Sequence, residues 1–296
     1  MIVAATGFFD GVHSGHRMVI DKAVAMARES NGKSLIVTFW PHPRNVLQLD
    51  ADKLRLLTSL EEKRQRCLAL GVDEFVVLPF SREFSNLTAS EFLSRYLIGK
   101  YGVTHLVLGY DHHLGSDDVR DPEQRDRIVR LCGIVPVPVS DSISASGRAV
   151  SSTMIRDILS GGDVVLGGSL LGYRYALEGV VVAGNKIGRT LGFPTANLSL
   201  YEPLKLIPAV GVYIVRVTVL GRNYMGICNI GTRPTLSDGR GQIIETHIID
   251  FDEDIYGLDL RIEFVSRLRD ERRFGSLDSL KKQLKKDLSA ARKFQI

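Results

Sequence analysis

The period of the apolar residues changes once along this 296-residue chain, and that change limits its possible folds more than any single motif. Up to about residue 160, short apolar runs alternate with helical patterns. Ile2–Ala5, Ser34–Phe39, Glu74–Leu78, His105–Leu108 and Ile134–Val139 read as strands. After the first of these, Val19, Ile20, Ala23, Val24 and Ala27 recur at helical spacing. Thr58 with Glu61 and Thr88 with Glu91 read as capping boxes, and Asp121–Pro122 as an N-cap followed by a first-turn proline. This alternation predicts a parallel, doubly wound α/β sheet whose ligand lies beyond the carboxyl ends of the strands. Pro136 and Pro138 place the fifth strand at an edge.

After the glycine-rich stretch 161–172 the strands follow one another. Ala176–Ala183, Val212–Leu220, Asn223–Ile230, Gln242–Ile249 and Leu260–Ser266 are strand-like, with no helix expected before Ser276. Consecutive strands without crossovers predict an antiparallel sheet closed into a small barrel. The expected organisation is a first domain over 1–160, a linker over 161–173, and a β-barrel domain with a terminal helix over 174–296. In that helix Leu277, Leu280, Leu284 and Leu288 form a buried stripe opposite Lys281, Lys282, Lys285 and Lys286.

A hydrophobic share of 44% against 24% charged residues is that of a globular protein. The net charge of +4 suits an anionic small molecule, but no basic run is interleaved with aromatics as nucleic-acid binding would require. Cys67, Cys132 and Cys228 are widely spaced, which fits a reducing cytoplasm. No leader or long apolar run calls for export or a membrane. Self-association is left open.

Gly7–Arg17 reads GFFDGVHSGHR, between an apolar strand and a helix. The unpartnered N–H groups opening that helix favour phosphate, and Gly11 and Gly15 let a polyanion approach the backbone. His13 and His16 can project from one side as donors. A plain turn with two surface histidines and a metal site of Asp10, His13 and His16 fit the same letters. Three further segments converge in a doubly wound sheet. These are Thr38–Pro43 with His42, Gly109-Tyr110-Asp111, and Ser151–Arg156, where hydroxyls cap a helix carrying Arg156. A phosphate attacking the α-phosphorus of ATP would need only positioning and charge neutralisation there, with Mg²⁺ sharing the charge. In the second half, Gly184–Asn197 holds glycines and cations that can wrap phosphates. Thr195 and Asn197 offer oxygens suited to Mg²⁺, and Glu245 is the candidate base for an alcohol. On the residues alone a solvated strand glutamate is the more usual reading of Glu245.

With these motifs the chain resembles, along essentially its whole length, the bacterial bifunctional riboflavin kinase/FMN adenylyltransferase (FAD synthetase) family. The family's G-N-F-D-G-V-H-x-G-H is matched by Gly7, Phe9 through His13, Gly15 and His16, with Phe8 in place of asparagine. T-F-x-P-H-P is matched at 38–43, and the serine–serine–threonine–x–x–arginine segment at 151–156. The stretch around proline–threonine–alanine–asparagine is matched at 194–197, and Asn229–Thr235 matches a family loop near the site. The resemblance implies a nucleotidyltransferase-like first domain that turns FMN and ATP into FAD and pyrophosphate. It implies a barrel that phosphorylates riboflavin, both steps using Mg²⁺.

It places His13, His16, Arg156 and Glu245 as catalytic. Gly7, Phe9, Asp10, Gly15, His42, Asp111, Ser152, Thr153, Gly184, Lys186, Gly192 and Pro194 fall at the nucleotides. Arg233, Glu271 and Phe274 fall at the flavin, and Thr195 and Asn197 at the metal. One segment departs: Asp117 and Asp118 stand where the family tends to be basic, and like charge would repel a polyphosphate. That leaves a kinase with an impaired first domain as the alternative. A non-catalytic flavin-binding regulator is the second, opposed by intact Thr195, Asn197 and Glu245.

Overall fold

Five short apolar strands, β1 (Ile2–Thr6), β2 (Lys33–Trp40), β3 (Glu74–Pro79), β4 (His105–Leu108) and β5 (Val135–Pro138), pair in the order β3-β2-β1-β4-β5. Every neighbour is parallel, and the proline-bearing β5 is at an edge as expected. Successive β1 residues serve opposite faces, as pleating requires. Val3 and Ala5 pack with Ile20, Ala23, Val24 and Ala27 of α1 (Ser14–Glu29). Ala4 packs on the other face with Phe92, Leu93, Leu97 and Val129. The strand order reverses between β1 and β4, so Gly7 and Gly109, just past their ends, flank the ligand crevice of such a sheet. This computed structural model describes every residue except 48–53, 110–113, 118, 120, 140–148, 185–186, 235–239 and 295–296.

One expected capping box lies a residue later. Ser59 caps α2 (Leu60–Ala69) with Glu62 reciprocating, because the Thr58 hydroxyl is already engaged by Gly11 N and Asp10. The Thr88–Glu91 box and the Asp121 cap of α3 (Pro122–Leu131) form as expected.

The second half is a closed antiparallel barrel. Its strands are β6 (Ala176–Val182), β7 (Ala196–Leu200), β8 (Gly211–Val219), β9 (Arg222–Pro234), β10 (Arg240–Ile248) and β11 (Asp259–Arg269), ordered β10-β7-β6-β11-β8-β9. Tyr213 and Phe264 fill the core in a T-shaped contact with centroids 5.2 Å apart.

Three expectations are corrected here. The glycine-rich stretch read as a linker contains a helix, α5 (Val164–Leu171), following α4 (Ser152–Ser160). Asp163 caps it, and Gly167 leaves room for Leu159, since a Cβ there would lie 2.6 Å from that side chain. A short helix, Ile187–Thr190, also precedes Ser276. In α6 (Leu277–Ala291), Leu277 is 62% exposed, while Leu280, Leu284 and Leu288 keep the half-buried stripe. The chain divides into two compact units, Met1–Ser152 and Thr153–Ile296.

Candidate active sites

In the first unit the chain leaves β1 through a tight turn, with Phe9 at φ 50°, Gly11 at φ 81° and Val12 at φ 41°. Phe9 is buried in the core, and a Cβ on Gly7 would lie 3.3 Å from its ring. Gly15 likewise makes room for the His13 ring, 3.3 Å from where a Cβ would stand. These three residues shape the turn by packing.

Asp10 has a different task from the nucleotide contact expected of it. It is 2% exposed, and its carboxylate accepts from Leu57 N and Thr58 N at 3.0 Å and from Thr58 Oγ1 at 3.2 Å. It ties the approach to α2 onto the signature turn. With those oxygens committed, a metal site of Asp10, His13 and His16 loses its carboxylate. Among the described residues no group of three His, Cys, Asp or Glu is placed for a metal.

His13 and His16 stack with centroids 3.7 Å apart. Burial, then the His13 and Lys63 charges, hold the His16 pKa well below its usual value, so the ring is a neutral donor. His42 caps the helix Pro43–Val46, with Nδ1 accepting from Arg44 N at 3.1 Å, which leaves the neutral ring's proton on Nε2. Ser152 Oγ donates to Asp10 O at 2.9 Å, joining the first and fourth predicted segments. Thr153 and Arg156 follow in α4 and belong to the second unit.

The Gly109 carbonyl accepts from Arg125 Nη1 at 3.0 Å. Arg125 is 2% exposed and carried no motif by which the sequence could mark it. Tyr110, Asp111 and Asp118 lie outside the described residues. Asp117 instead accepts from Ala89 N at 2.8 Å, while Ser116 N bonds Leu87 O. This aspartate therefore satisfies the first N–H of the short helix Ala89–Phe92, beside the Thr88 cap.

In the barrel, Glu245 on β10 pairs with Asn197 on β7 and with Asn229 on β9. Directly opposed residues share a sheet face, so the three polar side chains form one row. A Cβ on Gly184 would collide with the Asn197 carboxamide, which explains that glycine. A Cβ on Gly231 would stand 2.6 Å from Glu271 Oε1 and 3.3 Å from Asn229 Nδ2, so Glu271 reaches the end of the row.

A cavity of about 300 Å³ is lined by Arg189, Pro194, Thr195, Thr246, Phe251 and Tyr256 among others. Thr195 belongs to the cavity and Asn197 to the row; along β7 and β10 the cavity is lined by Ala196, Thr246 and Ile248, on the sheet face opposite Asn197 and Glu245. His247 Nδ1 bonds Pro194 O at 2.8 Å, which fixes that segment. Sequence reasoning missed His247, although it shares a strand face with Glu245 two residues away. Gly192, at φ 82°, follows the short helix 187–190. Phe274 has the Arg269 and Arg272 guanidinium groups over its ring at 5.9 and 5.5 Å, and Asp287 anchors Arg269 at 2.8 Å. Lys186 and the Arg233 side chain lie outside the described residues.

Two family models match the chain: FAD synthetase over residues 1–154 and riboflavin kinase over 171–295. The bifunctional riboflavin kinase/FMN adenylyltransferase of Bacillus subtilis is 37% identical over 98% of this chain and 91% of its own length. Its Escherichia coli K12 counterpart is 36% identical over 99% and 92%. A crystal structure described as a macrolide-efflux protein from Streptococcus pneumoniae superposes with a TM-score of 0.90 at 32% identity, covering 99% of this chain and 94% of that one. Among the described residues no helix is long and apolar enough to cross a membrane. With both models matched and full-length relatives of this identity, the chain belongs to the bifunctional riboflavin kinase/FMN adenylyltransferase family.

Proposed function

We propose that this chain converts riboflavin to FAD in two ATP-dependent steps, one in each unit. The observation that carries this is the match of two catalytic family models to the two halves of one chain. In the barrel, riboflavin and ATP give FMN and ADP. Glu245 accepts the proton of the ribityl 5′-hydroxyl as that oxygen attacks the γ-phosphorus. Asn229 and Asn197 flank it, Glu271 and Phe274 meet the flavin, Arg233 is assigned there on its sequence pattern, and the loop carrying Thr195 and Asn197 takes the nucleotide.

Thr195 and Asn197 would hold Mg²⁺. The space that Gly184 leaves for the Asn197 carboxamide supports this, as does the neutral oxygen donor set. A hard cation held by few protein oxygens completes its shell with water and phosphate. The ion would neutralise phosphate charge. Gly184, Gly192 and Pro194 shape the loop around that nucleotide, and Lys186 is assigned to it on its sequence pattern.

In the first unit FMN and ATP give FAD and pyrophosphate. The FMN phosphate oxygen attacks the α-phosphorus, and the α–β bridge bond breaks. No enzyme nucleophile is required, so the residues position and neutralise. His13 and His16 donate to the triphosphate at the start of α1, with His42 and Ser152 beside them and Gly7, Phe9, Asp10 and Gly15 setting the turn. Asp111, Thr153 and Arg156 are assigned on their sequence patterns. Asp117 keeps its charge and is held on Ala89 N, at the start of the helix Ala89–Phe92. Three unpaired thiols support a reducing, cytoplasmic setting. The family match favours small-molecule partners over nucleic acid.

The test is to incubate the protein with riboflavin, ATP and Mg²⁺, and separately with FMN, ATP and Mg²⁺, then resolve the flavins chromatographically. FAD in the second tube is expected. FMN alone in the first, with none converted in the second, would leave only the kinase.

A further inference from the structure

Lys63 has no part in the chemistry above, and its placement is unfavourable on packing grounds alone. It lies one turn into α2, with Cys67 four residues on, and both are fully buried. Its Nζ has no hydrogen-bond partner among the described residues and sits 3.6 Å from the centre of the Phe8 ring. A methionine of similar volume would fill this space without desolvating an ammonium. Burial lowers the Lys63 pKa to about 8, against the opposing pull of Asp10 and then Cys67. At neutral pH the group therefore stays mostly charged.

The charge is lodged behind the turn that opens α1. Phe8 and Asp10 belong to that turn, and His16 in the first turn of α1 feels Lys63 directly. The Phe8 ring covers the ammonium and meets the His42 ring 4.0 Å away in a T-shaped contact. Phe8 stands where the family motif has asparagine, so a π face replaces an amide in front of Lys63. His16 is neutral, so it supplies a donor and no net charge.

We propose that Lys63 is a positioning residue for adenylyl transfer, its buried ammonium being the fixed positive charge that draws the pyrophosphate half of ATP to the start of α1. The proposal rests on the first unit carrying adenylyl transfer. A charge shielded from water acts over several ångströms without contact and needs no reorganisation when the anion arrives. Asp10 and His13 on the turn, His16 on α1, His42 after β2 and Cys67 on α2 are the titratable neighbours. Burial holds His16 low and pushes Cys67 up to about 12, so Lys63 is the group that loses charge near pH 8.

Inorganic pyrophosphate is the probe, measured as a product inhibitor of FAD formation by the full-length protein across about pH 7 to 9. The native protein should bind it progressively more weakly above about pH 8. K63M should weaken inhibition about tenfold at neutral pH and abolish the pH step. K63R keeps its charge, so pyrophosphate should inhibit it as it inhibits the native protein at neutral pH, with no step. Riboflavin phosphorylation should be unchanged in all three. Native-like pyrophosphate inhibition in K63M, or a step surviving in K63R, would overturn the proposal. Should the native protein form no FAD from FMN, the reading of the first unit falls. Calorimetric binding of pyrophosphate to native and K63M protein then still decides Lys63.

Discussion

Single residues of the signature turn divide into those that hold it and those that face the phosphate, and sequence alone does not separate them. Asp10 and His13 are three apart in one motif. Asp10 is committed to Leu57 and Thr58, forty-seven and forty-eight residues away. Such a partner is set by the fold, so no local pattern announces it. Asp10→Ala would leave those buried donors unsatisfied and cost the first unit about 2–4 kcal/mol. Trp40, the chain's single tryptophan, reports this as a lower urea midpoint.

His16 has its folded pKa depressed, so the unfolded state binds the proton first. The stability linked to it is complete above about pH 6.5 and is lost as the pH falls. The Trp40-monitored urea midpoint should therefore drop more steeply with acid in native protein than in His16→Gln. Equal slopes would place the acid sensitivity elsewhere. Lys63 has its pKa lowered to about 8 from 10.5, so it destabilises the fold below pH 8 and that penalty fades as the pH rises toward 10.5. K63M should accordingly be more stable at neutral pH, by roughly 3 kcal/mol, and the gain should shrink above pH 8. A destabilised K63M would contradict the account of a buried charge whose desolvation outweighs the attraction of Asp10.

Elements were legible where one period ran unbroken. The alternation in β1 to β5 gave the parallel sheet, and the prolines of β5 gave its edge. The helix α5 was hidden because VVLGGSLL carries two glycines and scans as a turn. Its stability comes from the Asp163 cap and from packing at Gly167. β7 was hidden for a related reason: it follows Gly192-Phe193-Pro194, and only its barrel neighbours make it a strand. The barrel row is an element-scale feature, since Asn197, Glu245 and Asn229 meet only through register. Gly184→Ala should displace the Asn197 carboxamide and lower kcat/KM for ATP in riboflavin phosphorylation by at least about tenfold. FAD formation from supplied FMN should be unaffected. An unchanged kinase would mean that the carboxamide is not part of the nucleotide site.

At the scale of the molecule, two units with separate cores correspond to two reactions sharing FMN, the product of one and the substrate of the other. The resemblance across the whole length made this readable, but the residues joining each site did not follow from it. Arg125 on the Gly109 carbonyl and His247 on the Pro194 carbonyl act by holding backbone, and such contacts leave no periodic trace in a sequence. The central claim is that each unit performs its own reaction, and Glu245→Gln tests it most directly. Supplied with ATP and Mg²⁺, this variant should form no FMN from riboflavin and should convert FMN to FAD at the native rate. Loss of both activities in a folded protein, or retention of riboflavin phosphorylation, would contradict it.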